Sequence, residues 1–193
     1  MIHDGKTIIA VFLDLQRAFE TLDRNILLNK LQCYGLKDVE LKWFKSYLNG
    51  RKQKTKVNNV FSDNINIKIG VPQGSVLGAL LFLSYINDIH GVVNFSELVL
   101  FADDTLMFVV GNNVKECLEK INGDLDTIEE WLKMNKLKLN VNKTKCMVWN
   151  GSLNENENVI VNNNKIELVE EIKYLGVIID NKVNFKKHLD YIM

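Results

Sequence analysis

The chain has 193 residues, 47% apolar and 25% charged, which suits one globular domain with a buried core. Its 24 Lys and Arg cancel its 24 Asp and Glu, which argues against a uniformly basic nucleic-acid binder. Cys33, Cys117 and Cys146 form no CxxC pair and no even framework, the N-terminus lacks a signal-peptide core, and the longest apolar run, residues 76–83, is far short of the roughly 20 needed to cross a bilayer; a soluble, intracellular protein with no membrane partner is expected.

Thr7–Leu13 is a continuous apolar run, the pattern of a strand buried on both faces, and it ends on Asp14. Ligands of α/β folds bind outside strand ends, which makes that carboxylate a candidate site residue. Residues 15–23 read as a turn. Ile26, Leu27, Leu28 and Leu31 give residues 24–32 a helical spacing, with Gly35 as the stop. A second amphipathic helix runs from Asp38, a candidate N-cap, through Trp43, Phe44, Tyr47 and Leu48 to Gly50. Ile65, Ile67 and Ile69 alternate as in a strand. Gly70 and Gly74 then flank Pro72-Gln73 in a sharp turn open to close approach, and Ser75 is placed to cap a helix reaching about Asp88.

Residues 98–101 and 106–110 read as strands joined by a tight hairpin turn around Asp103 and Asp104. Adjacent carboxylates on a rigid hairpin are costly unless a cation is near. Asp-Asp is also ordinary turn chemistry; the third carboxylate, Asp14, weighs against that reading. Val114, Cys117, Leu118, Ile121, Leu125, Ile128, Trp131 and Leu132 form the stripe of a helix packed on a sheet. Residues 143–149 read as a strand and 150–158 as a polar surface loop. A hairpin over 159–168 turns at Asn162-Asn163-Asn164. Residues 173–180 read as one further strand, and a helix starts near Asn184. This order matches an α+β fold, a split βαβ (ferredoxin-like) antiparallel sheet with helices packed on one face.

Charge is unevenly distributed. Residues 42–56 hold six basic side chains and no acidic one, and residues 133–149 hold five and none. Each stretch suits a phosphate track or a solvated face. Asp14, Asp103 and Asp104 would suit two Mg²⁺ ions, and two-metal sites drive in-line displacement at phosphorus. Spacing alone leaves open whether the three meet.

With those residues set out, the chain resembles the palm of reverse transcriptases of non-LTR (LINE-type) retrotransposons. Phe101-Ala102-Asp103-Asp104-Thr105 is similar to the family's aromatic-Ala-Asp-Asp box, and residues 11–19, Val-Phe-Leu-Asp-Leu-Gln-Arg-Ala-Phe, to its first catalytic strand. Residues 70–78 with Tyr85-Ile86-Asn87-Asp88 resemble its template-gripping turn and helix. Asn140-Val141-Asn142-Lys143-Thr144-Lys145 and Lys173-Tyr174-Leu175-Gly176-Val177 resemble its last two palm motifs. Ala79 stands where many relatives have proline, and Glu20 where they have aspartate.

The resemblance implies an RNA-directed DNA polymerase that adds dNTPs to a DNA primer on an RNA template. It implies that Asp14, Asp103, Asp104 and the Leu15 carbonyl hold two Mg²⁺ ions, for which Mn²⁺ substitutes. Phe19 would exclude a 2′-hydroxyl, Gln73 and Gly74 would lie against the nascent base pair, and Lys143 would protonate the departing pyrophosphate. Arg51, Lys52, Lys54 and Gly176 would contact nucleic acid. It also implies a palm over about 7–180 and the start of a thumb over 181–193, with fingers absent and the isolated chain inactive. Two rival readings stand beside it: a non-catalytic retroelement remnant with weak nucleic-acid binding, and another Mg²⁺ enzyme on a palm-like fold such as a nucleotide cyclase. The turn at 70–75 and the box at 173–176 disfavour the cyclase, which has no template to hold.

Overall fold

A computed structural model describes residues 5–193. Residues 1–4, part of the segment read as lacking a signal-peptide core, lie outside the described residues. In chain order the elements are β1 (Thr7–Leu13), α1 (Ala18–Thr21), α2 (Arg24–Cys33), α3 (Asp38–Leu48), β2 (Lys52–Gln53), β3 (Lys56–Val57), β4 (Val60–Phe61), β5 (Ile65–Asn66), α4 (Val76–Ile86) and a 3-10 helix (Asn87–Val92). There follow β6 (Glu97–Phe101), β7 (Asp104–Gly111), α5 (Val114–Met134), β8 (Lys145–Trp149), β9 (Ile160–Val161), β10 (Asn164–Lys165), β11 (Glu167–Leu168), β12 (Glu171–Tyr174), β13 (Val177–Asp180) and α6 (Lys186–Ile192). The chain forms two compact units.

One unit comprises Met1–Gln16, Ile89–Leu132 and Leu139–Met193. Its sheet has the order β11-β8-β1-β7-β6, antiparallel throughout except for β11 against β8. β1 is central because it is apolar on both faces. Ile9 pairs with Val109 and Val148, Val11 with Met107 and Cys146, and all of these are buried. This face lies beneath the buried stripe of α5, where the Cys117 thiol donates to the Thr7 carbonyl at 3.5 Å. On the opposite face Ala10, Phe12, Met147 and Trp149 form a second cluster. It is covered by Ile172, Tyr174 and Ile179 of the β12–β13 hairpin, and the Trp149 indole donates to the Asp180 carbonyl at 3.1 Å. α5 therefore covers one face of this sheet and a hairpin the other. Asp124, 1% exposed on α5, accepts the backbone N–H groups of Asn94, Phe95 and Ser96 at 2.8, 2.9 and 2.6 Å, which ties the approach to β6 onto the helix.

Three expectations change here. Residues 173–180 are not one strand: Leu175 and Gly176, at φ 47° and 85°, make a two-residue turn, and β12 folds back on β13. The hairpin over 159–168 turns on two residues, Asn162 and Asn163 at φ 53° and 58°, and its last residues leave it to pair in parallel with β8. β8 begins at Lys145 because the N–H groups of Lys143 and Thr144 close a turn on the Asn140 carbonyl at 3.1 and 2.9 Å.

The second unit comprises Arg17–Asp88 and Lys133–Lys138. Residues 15–23 are more than a turn, since they contain α1, whose following residue Leu22 is fully buried. Asp23 caps α2 by accepting from Asn25 and Ile26 N–H at 2.9 and 3.1 Å. Lys37, not Asp38, is the N-cap of α3; Asp38 lies in the first turn, where its charge favours the positive end of the helix dipole. The strand read through Ile65, Ile67 and Ile69 stops at Asn66. The carbonyls of Ile67, Ile69 and Gly70 turn instead onto the Arg24 guanidinium, at 2.8, 3.1 and 2.8 Å. Ser75 caps α4 as expected, accepting from Gly78 N–H at 2.9 Å. Cys33 is exposed at the end of α2, whereas Cys117 and Cys146 of the other unit are buried.

Candidate active site

β1 ends with Leu13 opposite Thr105, and β6 and β7 are joined by Ala102 and Asp103. Side chains alternate along a strand, so Asp14 continues the face of Phe12 and Asp104 that of Leu106. Both carboxylates thus extend the face that holds the Phe12 cluster. Asp103 stands exposed on the turn itself. Ala102 adopts φ 54°, a left-handed conformation that a Cβ disfavours, so the turn holds backbone strain beside the acids. Burial pushes the Asp104 carboxyl above the usual carboxylate range, and the charges of Asp103 and Asp14 push it further the same way.

Asp104 therefore senses the charges of both Asp103 and Asp14. Among the described residues, however, no three His, Cys, Asp or Glu side chains are gathered closely enough to hold a metal ion. The donor chemistry still fits a hard divalent cation, because carboxylate oxygens suit Mg²⁺ and Mn²⁺ and a cation would relieve the repulsion on Asp104. Near this corner the Tyr174 hydroxyl is buried without a hydrogen-bond partner among the described residues. Burial raises its pKa, and the Asp104 charge adds to the rise. Its ring meets Phe12 edge-on at 5.3 Å.

The backbone of Asp14 is clamped by the turn that precedes β8. Its N–H donates to Thr144 Oγ1 at 3.3 Å, and its carbonyl accepts from Asn140 N–H at 2.7 Å. Thr144, with no exposed surface, donates its own hydroxyl to the Asn140 carbonyl at 3.0 Å. Leu15 bridges Leu139 next to this clamp. Sequence reasoning missed Thr144 and Asn140 as positioning groups, although both lie in a quoted motif. Lys143, singled out in that motif, is exposed on the same turn. Gly176 occupies the turn between β12 and β13.

In the Arg17–Asp88 unit, Phe19 lies on α1 and stacks on Phe82 of α4, with ring centroids 4.5 Å apart. The turn at 70–75 is strapped to α1: Gly70 N–H donates to the Leu22 carbonyl at 2.7 Å and Val71 N–H to the Phe19 carbonyl at 2.8 Å. Gly70 has φ 75°, and a Cβ there would lie 2.4 Å from the Glu20 carbonyl oxygen, so only glycine fits this close approach. Gln73 and Gly74 are exposed at the tip of the turn. Arg51, Lys52 and Gln73 line one cavity. Lys54 does not line it; its ammonium lies 4.2 Å from the centroid of the Phe61 ring.

A central antiparallel sheet bearing carboxylates where β1 ends and where β6 turns into β7 is the architecture of a polymerase palm. The model of the family "Reverse transcriptase (RNA-dependent DNA polymerase)" matches residues 2–179, and the chain belongs to that family. The RNA-directed DNA polymerase from mobile element jockey of Drosophila funebris is 28% identical over 185 residues, 92% of this chain and 20% of that protein. The Retrovirus-related Pol polyprotein from type-1 retrotransposable element R1 of Bradysia coprophila is 29% identical over 194 residues, 97% of this chain and 19% of that protein. The chain thus spans about a fifth of the length of the curated relatives it matches. Among solved structures, telomerase from Candida tropicalis, determined with a TWJ fragment of telomeric RNA, superposes with a TM-score of 0.61 at 13% identity. That match covers 93% of this chain and 30% of the telomerase chain. Telomerase from Candida albicans gives 0.59 at 15% identity over 94% of this chain and 34% of that one. These last likenesses concern the fold.

Proposed function

We propose that residues 7–180 are the palm of a non-LTR retroelement polymerase and residues 181–193 the start of its thumb, and that the palm transfers nucleotides from dNTPs to the 3′ hydroxyl of a DNA primer on an RNA template. The observation that supports this reading is the register of the sheet, which brings Asp14 at the end of β1 onto the same face as Asp104 at the start of β7, with Asp103 on the adjoining turn. Asp14, the Leu15 carbonyl, Asp103 and Asp104 would hold two Mg²⁺ ions, or Mn²⁺ in their place. When bound, such ions lower the pKa of an attacking hydroxyl and stabilise a leaving oxygen. The chain's own groups do the positioning. The Asn140–Thr144 clamp fixes the Asp14 backbone, and the strained Ala102 turn fixes Asp103.

Phe19, held by Phe82, would exclude a 2′-hydroxyl, while Gln73 and Gly74 would bear on the nascent base pair. Lys143 would serve as the acid toward pyrophosphate. Arg51, Lys52, Lys54 and Gly176 would meet nucleic acid. The no-template reading, a cyclase, leaves the exposed turn at 70–75 without a role.

The test is thermal. Mg²⁺ or Mn²⁺ should raise the melting temperature of the chain by mass action, and Asp103→Asn should abolish that rise. Without metal the variant should be no less stable than wild type, since it removes a repulsive charge. An equal metal response in both proteins would sink the shared site.

A further inference from the structure

Three asparagines in the chain precede a glycine: Asn49-Gly50, Asn122-Gly123 and Asn150-Gly151. An asparagine side chain is an internal electrophile, because the backbone nitrogen of the next residue can attack its Cγ and close a cyclic imide. Glycine leaves that nitrogen unhindered, and its backbone freedom allows the bend that ring closure needs. In sequence the three pairs are equivalent. In the fold they are not.

Asn122 sits in the middle of α5, where the Gly123 N–H belongs to the helix ladder. Its amide is tied at both ends: Nδ2 donates to the Asn158 carbonyl at 3.1 Å, and Oδ1 accepts from Ile160 N–H at 3.0 Å. Asn150 is anchored through Nδ2 to the Lys6 carbonyl at 3.0 Å, and its own carbonyl accepts from Thr7 Oγ1 at 3.0 Å. Gly151 is packed so closely that a Cβ there would lie 2.6 Å from Val114 Cγ2. Asn49 is the exception. It is the exposed C-cap of α3, with ψ 160°, and its side chain has no hydrogen bond among the described residues; only its backbone N–H is engaged, by the Lys45 carbonyl at 3.0 Å. The Gly50 N–H also has no partner among the described residues. Gly50 stands at φ 66°, and beyond its chain neighbours no atom lies within 4 Å of where a Cβ would be.

We propose that Asn49 is the site of spontaneous deamidation in the folded chain. The Gly50 nitrogen gives up its proton and bonds to Asn49 Cγ; the Cγ–Nδ2 bond breaks, and ammonia leaves. Water then opens the imide at either carbonyl, giving an aspartyl or an isoaspartyl residue at position 49. One amide and one water thus become one carboxylate and one ammonium ion. Either product puts an anion at the negative end of the α3 dipole, where it is disfavoured. The Arg17–Asp88 unit carries 14 Lys and Arg against 6 Asp and Glu, a net +8, and each conversion lowers that by one charge.

The experiment incubates the native 193-residue chain at mildly alkaline pH and follows it by tryptic peptide mapping. Residues 46–51 emerge as one peptide in which Asn49 is the only asparagine. Asn49 should convert at least about tenfold faster than Asn122 or Asn150, whose reaction waits on local opening. The product should include the isoaspartyl isomer, which marks the imide. In guanidinium chloride the three rates should come close together. Asn49→Gln, whose longer side chain closes a ring far more slowly, should remove the first acidic form to accumulate on ion exchange. Equal rates at the three sites in the native chain overturn the proposal, as does a native Asn49 rate tenfold or more below its rate in denaturant. A purely aspartyl product, or an acidic form that persists in Asn49→Gln, overturns it as well.

Discussion

Thr144 shows how much of the acid corner depends on one hydroxyl that touches no candidate substrate. It accepts from Asp14 N–H and donates to Asn140, and it is wholly buried. Thr144→Val keeps the shape and removes both bonds, leaving a part-buried N–H unsatisfied. We expect a loss of about 1–3 kcal/mol in denaturant unfolding, with Thr144→Ser restoring much of it. A valine variant as stable as wild type would mean the clamp is incidental. The hydroxyl was not legible in the sequence because its partner lies 130 positions away. The positions of Asp14, Asp103 and Asp104 were legible for the opposite reason: Asp14 follows one apolar run, and Asp103 and Asp104 stand between two others, so the runs mark where the strands end.

Among the elements, β1, the β6–β7 hairpin and α5 could be read from periodicity alone, since burial on two faces or one stripe leaves an unambiguous pattern. The β12–β13 hairpin could not. Its turn, Leu175-Gly176, lacks the Asn-Gly or Asp-Gly signal and sits in an apolar alternation that continues on both sides. The short strand over 65–66 failed differently, because Arg24 claims the carbonyls that a longer strand would have used.

The anchor of β6 on α5 yields a pH prediction. Burial pushes the Asp124 carboxyl up, but the donated N–H groups of Asn94, Phe95 and Ser96 together outweigh it and hold the pKa below the ordinary 3.8. A depressed carboxyl adds stability that is fully present above 3.8 and is lost as pH falls from there through the lower folded value. Asp124→Asn should therefore cost about 1.5–3 kcal/mol at neutral pH, and the gap to wild type should narrow in urea titrations below about pH 4. A gap independent of pH would mean the charge itself contributes nothing.

At the scale of the whole molecule, the zero net charge divides into opposites. The unit holding the three acids carries 10 Lys and Arg against 18 Asp and Glu, a net −8, which mirrors the +8 of the other. A pI near 6.8 conceals this division.

The three thiols divide as unevenly as the charges. Burial pushes the Cys146 thiol up to about 12, and burial first, then the Glu116 charge, raises Cys117. Both are therefore poor nucleophiles at neutral pH. Cys33 stands in solvent. A chromogenic thiol reagent should count one fast-reacting sulfur in the native protein and three in denaturant; two or more fast sulfurs in the native state would show that the sheet core opens. Without any engineering, the wild-type chain thus offers a single chemical handle, and a fluorophore attached there would report on the cationic unit alone.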